Sequence, residues 1–587
     1  MLERIMSFLE PIVSWLENAV WSWGIPVGGE TIPFVVIALL GTGVFLTLRL
    51  RFIQIRRLPH GFGVTSGKYD DPDEPGDVSH FQALTTALSA TVGIGNIAGV
   101  AIAIHWGGPG ALFWMWMTAL LGMAVKYTEV TLAQHYRDTG PDKDPHAWEG
   151  SVSGGPMYYI ERGLGKNWKW MAMFFAFMLM ITSFLTGNAV QANTVADTMF
   201  TEFGIPAWTT GLTTAIIVGL VIVGGIRRIG AVTGVLAPVM ATIYVVGALF
   251  ILIANAGALM PTFGLIFQEA FNPTAGVAGT GVGAFLVTLM WGVRRGLFSN
   301  EAGQGSAPIA HAAAKTDEPV SEGVVALLEP FIDTIVICTM TGLVLLTTGV
   351  WNEKVPSVIE PGGGDFIHLA QTAEGYWEES DAPERIEVRD GYVVSSGDVE
   401  TRVGWHEVEV ERLFTDPEHN EPFSGVILAG ERRAEAANGE AVPRLHGLAV
   451  ESGAPLTKLA FERGLPGGWG GFIVLLSVLL FAVSTAISWS YYGDRCANYL
   501  FGKKAILPYK LVFVVMHFVG AVVALQTVWT IGDIALGIVI LPNLIALVWL
   551  SGKVKGMTDS YFERKPWEGN AVAHQRYLEK KKSEKGT

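Results

Sequence analysis

The sequence predicts an all-α integral membrane protein of eleven transmembrane helices, arranged as one peripheral helix and two inverted halves of five, with a small extracellular β-rich insertion. Three observations carry this. Half of the 587 residues are hydrophobic and only 16% are charged, and apolar runs of about 20 residues, the length a bilayer demands, recur along the chain. Lysine and arginine collect on every second connection between the runs. Two runs are interrupted by glycine-rich polar stretches, Thr91-Val92-Gly93-Ile94-Gly95-Asn96-Ile97-Ala98-Gly99 and Gly296 to Ser306. A helix in lipid must satisfy its backbone internally, so it unwinds only where protein or a water-filled cavity receives the freed groups. Two such breaks imply a buried polar site.

Taken in order, residues 1–30 open as an amphipathic segment. Residues 2–23 set Glu3, Glu10 and Glu17 on one polar side and lack the basic start and cleavage site of a signal peptide, which predicts an interfacial helix. The apolar spans then fall near 31–50, 81–105, 109–136, 168–198, 207–226, 231–255, 281–309, 322–350, 468–494, 507–528 and 530–551. Basic residues follow the first span (Arg49, Arg51, Arg56, Arg57), the third (Arg137, Lys143, Arg162, Lys166) and the fifth (Arg227, Arg228). They follow also the ninth (Arg495, Lys503, Lys504) and the eleventh (Lys553, Lys555, Lys580, Lys581, Lys582). This bias places those connections and the tail 553–587 in the cytoplasm and the N-terminus outside the cell membrane.

The interruptions fall in spans two and seven, five spans apart. With span one at 31–50 peripheral, 81–255 makes a first half, 281–351 starts the second and 466–552 completes it, each half opening on its broken helix. An odd repeat length inverts the second half relative to the first, the inverted-topology arrangement of the LeuT type. No internal sequence repeat is visible.

Residues 352–465 stand apart. They hold 23 Asp and Glu against 10 Lys and Arg, so nearly all of the formal charge of −14 lies in this extracellular insertion. Arg385-Ile386-Glu387-Val388, then Asp390-Gly391 before Tyr392-Val393-Val394, reads as hairpins. The plain role is a solvated cover over a loop; the sharper one is an acidic exterior suited to a saline habitat or to raising cation concentration near an entrance. Cys338 and Cys496 lie in separate apolar spans and read as small buried hydrophobes, not a disulfide or a thiolate metal site.

Other function classes fit less well. A channel needs symmetric rings of groups or an oligomeric filter. An enzyme needs a nucleophile with its base, or ligand-spaced histidines or cysteines, and the twelve histidines are scattered. Gly93-x-Gly95-x-x-Ala98 matches a loose dinucleotide fingerprint, but no strand precedes it and it lies inside a membrane span.

The motifs resemble those of the alanine or glycine:cation symporters, the sodium:alanine symporter family. The resemblance rests on Ala90 to Ala101 around the first break, His105 to Gly110 (HWGGPG), Gly154 to Tyr159 (GGPMYY) and Gly296 to Pro308 (GLFSNEAGQGSAP). Phe331-Ile332-Asp333-Thr334 with Cys338-Thr339, and Ser488 to Gly493 (SWSYYG), complete it. These blocks cover most of the membrane portion, and the acidic insertion is the departure from a compact member. The resemblance implies secondary active symport of alanine and/or glycine with sodium, or alternatively with protons, by alternating access. The implied partners are a small neutral amino acid, sodium and the lipid bilayer, with no nucleic acid and no cofactor.

The residue chemistry agrees. In low dielectric each end of a zwitterion needs a partner. Around Thr91, Gly93, Ile94, Gly95 and Asn96 the freed amides and the positive end of a half-helix suit a carboxylate. The ammonium is expected at the carbonyls of Phe298, Ser299 and Asn300, with Phe298 capping a small side-chain pocket that extends to Gly303. Sodium, a hard cation, wants oxygen ligands. By analogy with LeuT-type symporters these are the hydroxyls of Ser484 and Thr485 and the carbonyls of Ser89 and Val92, while Asn96 offers its side-chain oxygen to a second ion. Asn188 and Gln191, three apart in span four with Asn193 nearby, either touch substrate or tie helices together. Glu329 and Asp333 in span eight are a relay or cation site, or else pair with Arg294 or Arg295. Lys126 and Glu129 in span three read as a local ion pair near the cytoplasmic end. A proton-driven design would lean on Asp333 or Glu301.

Overall fold

The computed structural model describes residues 23–572 apart from 28–29, 72, 140–151, 274–281, 362–365, 372–376, 381, 396–399, 407, 430, 432 and 524, together with scattered positions beyond. The interfacial helix expected over 2–23 falls almost entirely outside the described residues, as do Lys143 and Lys580 to Lys582. Six helices among the described residues are long and apolar enough to cross a membrane: Lys166–Phe203, Gly225–Ala254, Pro319–Thr348, Pro466–Phe501, Lys503–Val522 and Ile534–Arg564. A seventh crossing is His80–Thr91 with Gly95–Gly107, a pair bent by 55° at a short break. Phe34–Arg49 and Ala207–Ile222 are shorter apolar helices. Ala111–Tyr136 and Val282–Asn300 are helical at the third and seventh expected spans. Length and apolarity alone thus support six or seven crossings of the eleven expected.

Local chemistry sets several of these boundaries. Ser79 and Gln82 form a capping box at the start of span two: Gln82 N–H donates to Ser79 Oγ at 3.2 Å and Ser79 N–H to Gln82 Oε1 at 3.1 Å. In the connection expected between spans six and seven, Ala256–Phe271 is a helix. Its Phe267 and Phe271 rings pack on Phe113, and Trp114 Nε1 donates to the Ala270 carbonyl at 3.1 Å, so tertiary packing orders a stretch that charge and hydropathy leave as a loop.

The insertion is β-rich, all of its pairings antiparallel. A five-stranded sheet runs Ala441–Val442, Arg433–Ala436, Gly425–Leu428, Arg385–Arg389, Tyr392–Val393 in spatial order. A four-stranded sheet runs Trp377–Glu379, Phe366–Gln371, Thr401–Trp405, Val408–Val410, and Lys354–Ile359 pairs with Leu445–Val450. In Arg385–Arg389 the alternation is realised, with Ile386 and Val388 buried and the charged residues exposed. Those two join Ile359, Val403, Phe423 and Ile427 in a core separate from that of the helices. Helix Gly453–Gly464 then returns the chain to the bundle and lies across the broken second span, where Thr457 Oγ1 donates to the Ile97 carbonyl at 3.0 Å.

Candidate functional site

At the first break the α-helix ends at Thr91, Val92 leaves it with ψ 86°, and the chain resumes as a π-helical turn over Gly95–Gly99. Thr91 Oγ1 turns back to the carbonyls of Ala87 and Leu88 at 3.3 and 3.4 Å. Gly93 N–H donates to Asn96 Oδ1 at 2.8 Å, and the Asn96 carbonyl accepts from Thr341 Oγ1 at 2.8 Å. Backbone groups loosened by the break are therefore received by side chains, as membrane depth requires. A Cβ on Gly93 would stand 2.8 Å from Thr485 Oγ1, and one on Gly95 3.0 Å from the Phe298 ring. Glycine at both positions lets spans seven and nine close on the break. Ile94 between them is fully buried.

Span seven remains helical through Asn300, so its break lies later than the Gly296–Ser306 stretch suggests. It starts at Glu301, which takes a left-handed φ of 54°, and passes Gly303 and Gly305 at φ 90° and 74° before the short helix Ala307–His311. The strained Glu301 is held by Ser306 Oγ at 2.5 Å and Trp489 Nε1 at 3.0 Å, both donating to its carboxylate. The Glu301 amide makes the last helical bond, to the Leu297 carbonyl at 3.0 Å; that of Ala302 is diverted to Asn300 Oδ1 and that of Gln304 to the Glu301 carbonyl, so the helical ladder stops there. Phe298 faces Gly95. Gly303 lies elsewhere, against Leu39 and Leu544, its carbonyl accepting from Asn543 Nδ2 at 2.9 Å.

The two broken helices meet at Asp333. Asn96 Nδ2 donates to Asp333 Oδ1 at 2.6 Å, while Ser299 Oγ and Thr334 Oγ1 donate to Oδ2 at 2.6 and 2.7 Å. Cys338 Sγ lies 3.3 Å from Asn96 Nδ2 and 3.2 Å from Ser299 Oγ. All five residues are fully buried. Among the described residues no Lys, Arg or His lies within ion-pair distance of Asp333, so three hydrogen bonds stand where a counterion would be. Asn96 and Asp333 both sit in π-helical segments, Asp333 in Phe331–Cys338. Thr334 and Cys338 stand in a motif block of the sequence, but no spacing marks them as site residues, and Thr341 carries no signal at all.

On the other flank of the first break, Thr485 Oγ1 and Ser484 Oγ approach the Ser89 carbonyl at 3.1 and 3.4 Å. Ser484 Oγ also back-bonds to the Phe481 carbonyl at 2.9 Å. Val92, buried, stands at the break itself. In span four a third π-helical turn, Leu185–Ala189, contains Asn188, and Gln191 lies in the α-helix that follows. Asn188 engages span ten through Nδ2 on the Phe513 carbonyl at 2.8 Å and Oδ1 on His517 Nδ1 at 2.6 Å, and Asn193 likewise donates to the carbonyls of Gly520 and Val523. Gln191 instead faces the break: its Oε1 lies 3.7 Å from where a Gly93 Cβ would be, buried and with no hydrogen-bond partner among the described residues.

The charged residues pair differently from their sequence spacing. Lys126 joins Glu329 at 3.0 Å rather than Glu129, and Glu329 is held by Lys126 and His311 rather than by Arg294 or Arg295. Glu129 accepts instead from Asn543 Nδ2 at 2.5 Å and Gly305 N–H at 3.2 Å. An i,i+3 spacing fixes only proximity along one helix; spans seven, eight and eleven bring better-placed partners.

Apolar membrane helices interrupted around a buried polar junction define the class of multi-pass membrane transporters. Residues 6–364 and 442–575 match the model of the Sodium:alanine symporter family, and the chain belongs to that family. It is 40% identical to the Sodium/alanine symporter AgcS of Methanococcus maripaludis over 534 residues, 90% of this chain and 94% of that one. It is 37% identical to an uncharacterized transporter of Haemophilus influenzae over 557 residues, 95% of this chain and 97% of that one. Among solved structures, MhsT in complex with L-phenylalanine overlaps 86% of this chain and 98% of its own at TM-score 0.48 and 13% identity, a likeness too weak to bear on the site.

Proposed function

We propose that this protein imports a small neutral amino acid, alanine and/or glycine, together with sodium by alternating access. The observation that carries the proposal is the buried Asp333 carboxylate, without a cationic partner among the described residues, at the meeting of the two broken helices. A sodium ion there takes Asp333, Ser299 and Thr334 as oxygen ligands, the hydroxyls turning their lone pairs to the ion, while Asn96, whose Oδ1 accepts from Gly93 N–H, orients the carboxylate through Nδ2. A second ion sits at the Ser89 and Val92 carbonyls with Ser484 and Thr485. The substrate carboxylate lies on the amides at Ile94 and Gly95, and its ammonium meets the last helical carbonyls of span seven and Gln191 Oε1. Phe298, packed on Gly95, limits the side-chain volume. Asn188, spent on span ten, positions the helix that presents Gln191.

The bundle acts as two inverted halves of LeuT type, with the N-terminus outside and the tail in the cytoplasm. Purified protein in liposomes tests this with labelled alanine, glycine, serine and D-alanine under separate sodium and proton gradients. Accumulation of alanine or glycine driven by sodium is expected. Uptake that follows pH and ignores sodium overturns the coupling ion, and absence of uptake for every small neutral amino acid overturns the substrate class.

A further inference from the structure

A second buried polar assembly lies outside the proposed transport site. His311, at the end of the short helix after the break in span seven, is fully buried between two carboxylates. Its Nδ1 lies 2.5 Å from Glu322 Oε1 and its Nε2 2.5 Å from Glu329 Oε1. The second oxygen of Glu322 meets His80 Nδ1 at the start of span two, and the second oxygen of Glu329 meets Lys126 Nζ from span three. A neutral imidazole carries one N–H and one lone pair, and a carboxylate only accepts. One of the two contacts would then set lone pair against lone pair at 2.5 Å. Both are satisfied together when both ring nitrogens donate.

The charge balance agrees. With His311 cationic, it and Lys126 neutralise Glu322 and Glu329, while His80 donates through Nδ1 as a neutral ring. With both His311 and His80 neutral, one negative charge is left uncompensated away from water, which is strongly disfavoured. The surrounding groups are mostly acidic, four carboxylates against one guanidinium, and so favour a cation here. Glu129 and Glu301 face Lys126, Arg137 caps the carbonyls of Ala312 and Ala314 just beyond His311, and Asp70 and Glu74 face His80.

We propose that His311 is a proton-binding site, an imidazolium clamped between Glu322 and Glu329 that fastens the end of span seven to the starts of spans two and eight. The backbone closes the same seam: Asp77 and Val78 N–H donate to the Ala313 carbonyl at 2.8 and 3.2 Å, and Lys315 N–H to the Val78 carbonyl at 2.9 Å. The ligand is a proton, bound apart from the amino acid and the sodium ions, and its loss puts an unbalanced charge into a seam whose parts must separate when that face opens.

Nitrogen NMR of the full-length protein in nanodiscs, labelled at its twelve histidines, distinguishes imidazolium from the neutral tautomers. An exposed imidazole, at about 6.5, is neutral by about pH 8. One imidazolium signal surviving at that pH is expected, lost in His311→Gln and converted to a neutral ring in Glu329→Gln. A wild-type spectrum with every histidine neutral there overturns the proposal, as does an imidazolium that persists in His311→Gln. The first of these outcomes needs only the wild-type spectrum, so a variant that fails to fold leaves the test standing. None of these readouts requires transport, so the proposal stands or falls separately from the proposed substrate and coupling ion.

Discussion

Replacing Asp333 by asparagine removes the negative charge where the broken helices meet while keeping the side chain's size. Its two oxygens accept from Asn96 Nδ2, Ser299 Oγ and Thr334 Oγ1 at 2.6 to 2.7 Å. An amide keeps one acceptor, and the two hydroxyls can rotate to face its NH2 group. Two consequences of opposite sign result. Without sodium, the wild-type protein buries a carboxylate supported by hydrogen bonds alone, so the amide relieves a desolvation penalty and the ion-free protein unfolds at the same temperature or higher. With sodium, the variant lacks an attraction of about 4 kcal/mol for unit charges some 4 Å apart at an effective dielectric constant of about 20. Every 1.4 kcal/mol or so is tenfold, so sodium affinity is expected to fall by about two to three orders of magnitude. Sodium dependence of alanine uptake in proteoliposomes reads the affinity. The sodium-induced rise in unfolding temperature reads it again without transport, because a ligand that binds only the folded state stabilises it. A half-saturating sodium concentration within about threefold of wild type, a shift worth well under about 1 kcal/mol, would refute the assignment of Asp333 as a ligand.

Thr485→Val removes a hydroxyl that reaches the Ser89 carbonyl at 3.1 Å; a loss of about 1 to 1.5 kcal/mol raises half-saturating sodium roughly tenfold while alanine KM at saturating sodium stays put. Gln191→Leu removes the buried unpartnered Oε1 beside Gly93, and losing a hydrogen bond to a charged ammonium, about 1.5 to 3 kcal/mol, raises alanine KM at least tenfold; an unchanged KM removes Gln191 from the substrate site. Lys126→Met leaves Glu329 with one cationic neighbour fewer in a fully buried setting and should cost about 3 to 5 kcal/mol of stability. A thermal unfolding curve that overlays wild type would show that the Lys126–Glu329 pair contributes nothing. Deleting residues 357–448 removes most of the acidic insertion, and unchanged transport across a range of external salt would rule out a role in concentrating cations.

The first break was legible because membrane burial makes polar backbone expensive. Gly93, Gly95 and Asn96 in an apolar run announce a break wherever a helix must otherwise satisfy its own amides, and the structure bends there by 55°. The second break was legible only in outline. Gly296 lies inside a continuous helix, its absent Cβ accommodating Thr118 Oγ1, which would stand 2.2 Å away. The backbone leaves the helix only at Glu301. Composition cannot separate a glycine that admits a neighbouring helix from one that ends its own. Ion partners were less legible still. The i,i+3 pair Lys126 and Glu129 invites a local ion pair, whereas Glu329, far along the sequence but 3.0 Å away in space, takes the lysine.

Asn96 and Asp333 were each candidates in the sequence, but their meeting at the junction was hidden for a different reason. Asn96, Asn188 and Asp333 all lie in π-helical segments, Gly95–Gly99, Leu185–Ala189 and Phe331–Cys338. A π-helical turn inserts a residue into the helical repeat and re-aims the side chains after it, a device frequent at functional sites. In a soluble amphipathic helix such an insertion would show as a slip in the apolar stripe. Here the outer faces meet lipid and the inner faces meet other helices, both largely apolar, so no stripe exists to slip. That is why Asn188 and Gln191, three apart and on one face of a regular helix, address different neighbours: one is bound to Phe513 and His517, the other faces Gly93. The same change of register lets Asp333 meet Asn96 from span two and Ser299 from span seven at once. The position of the π-helical turn in span eight, rather than the i,i+4 spacing of Glu329 and Asp333, therefore sends one carboxylate to the junction of the breaks and the other to Lys126 and His311.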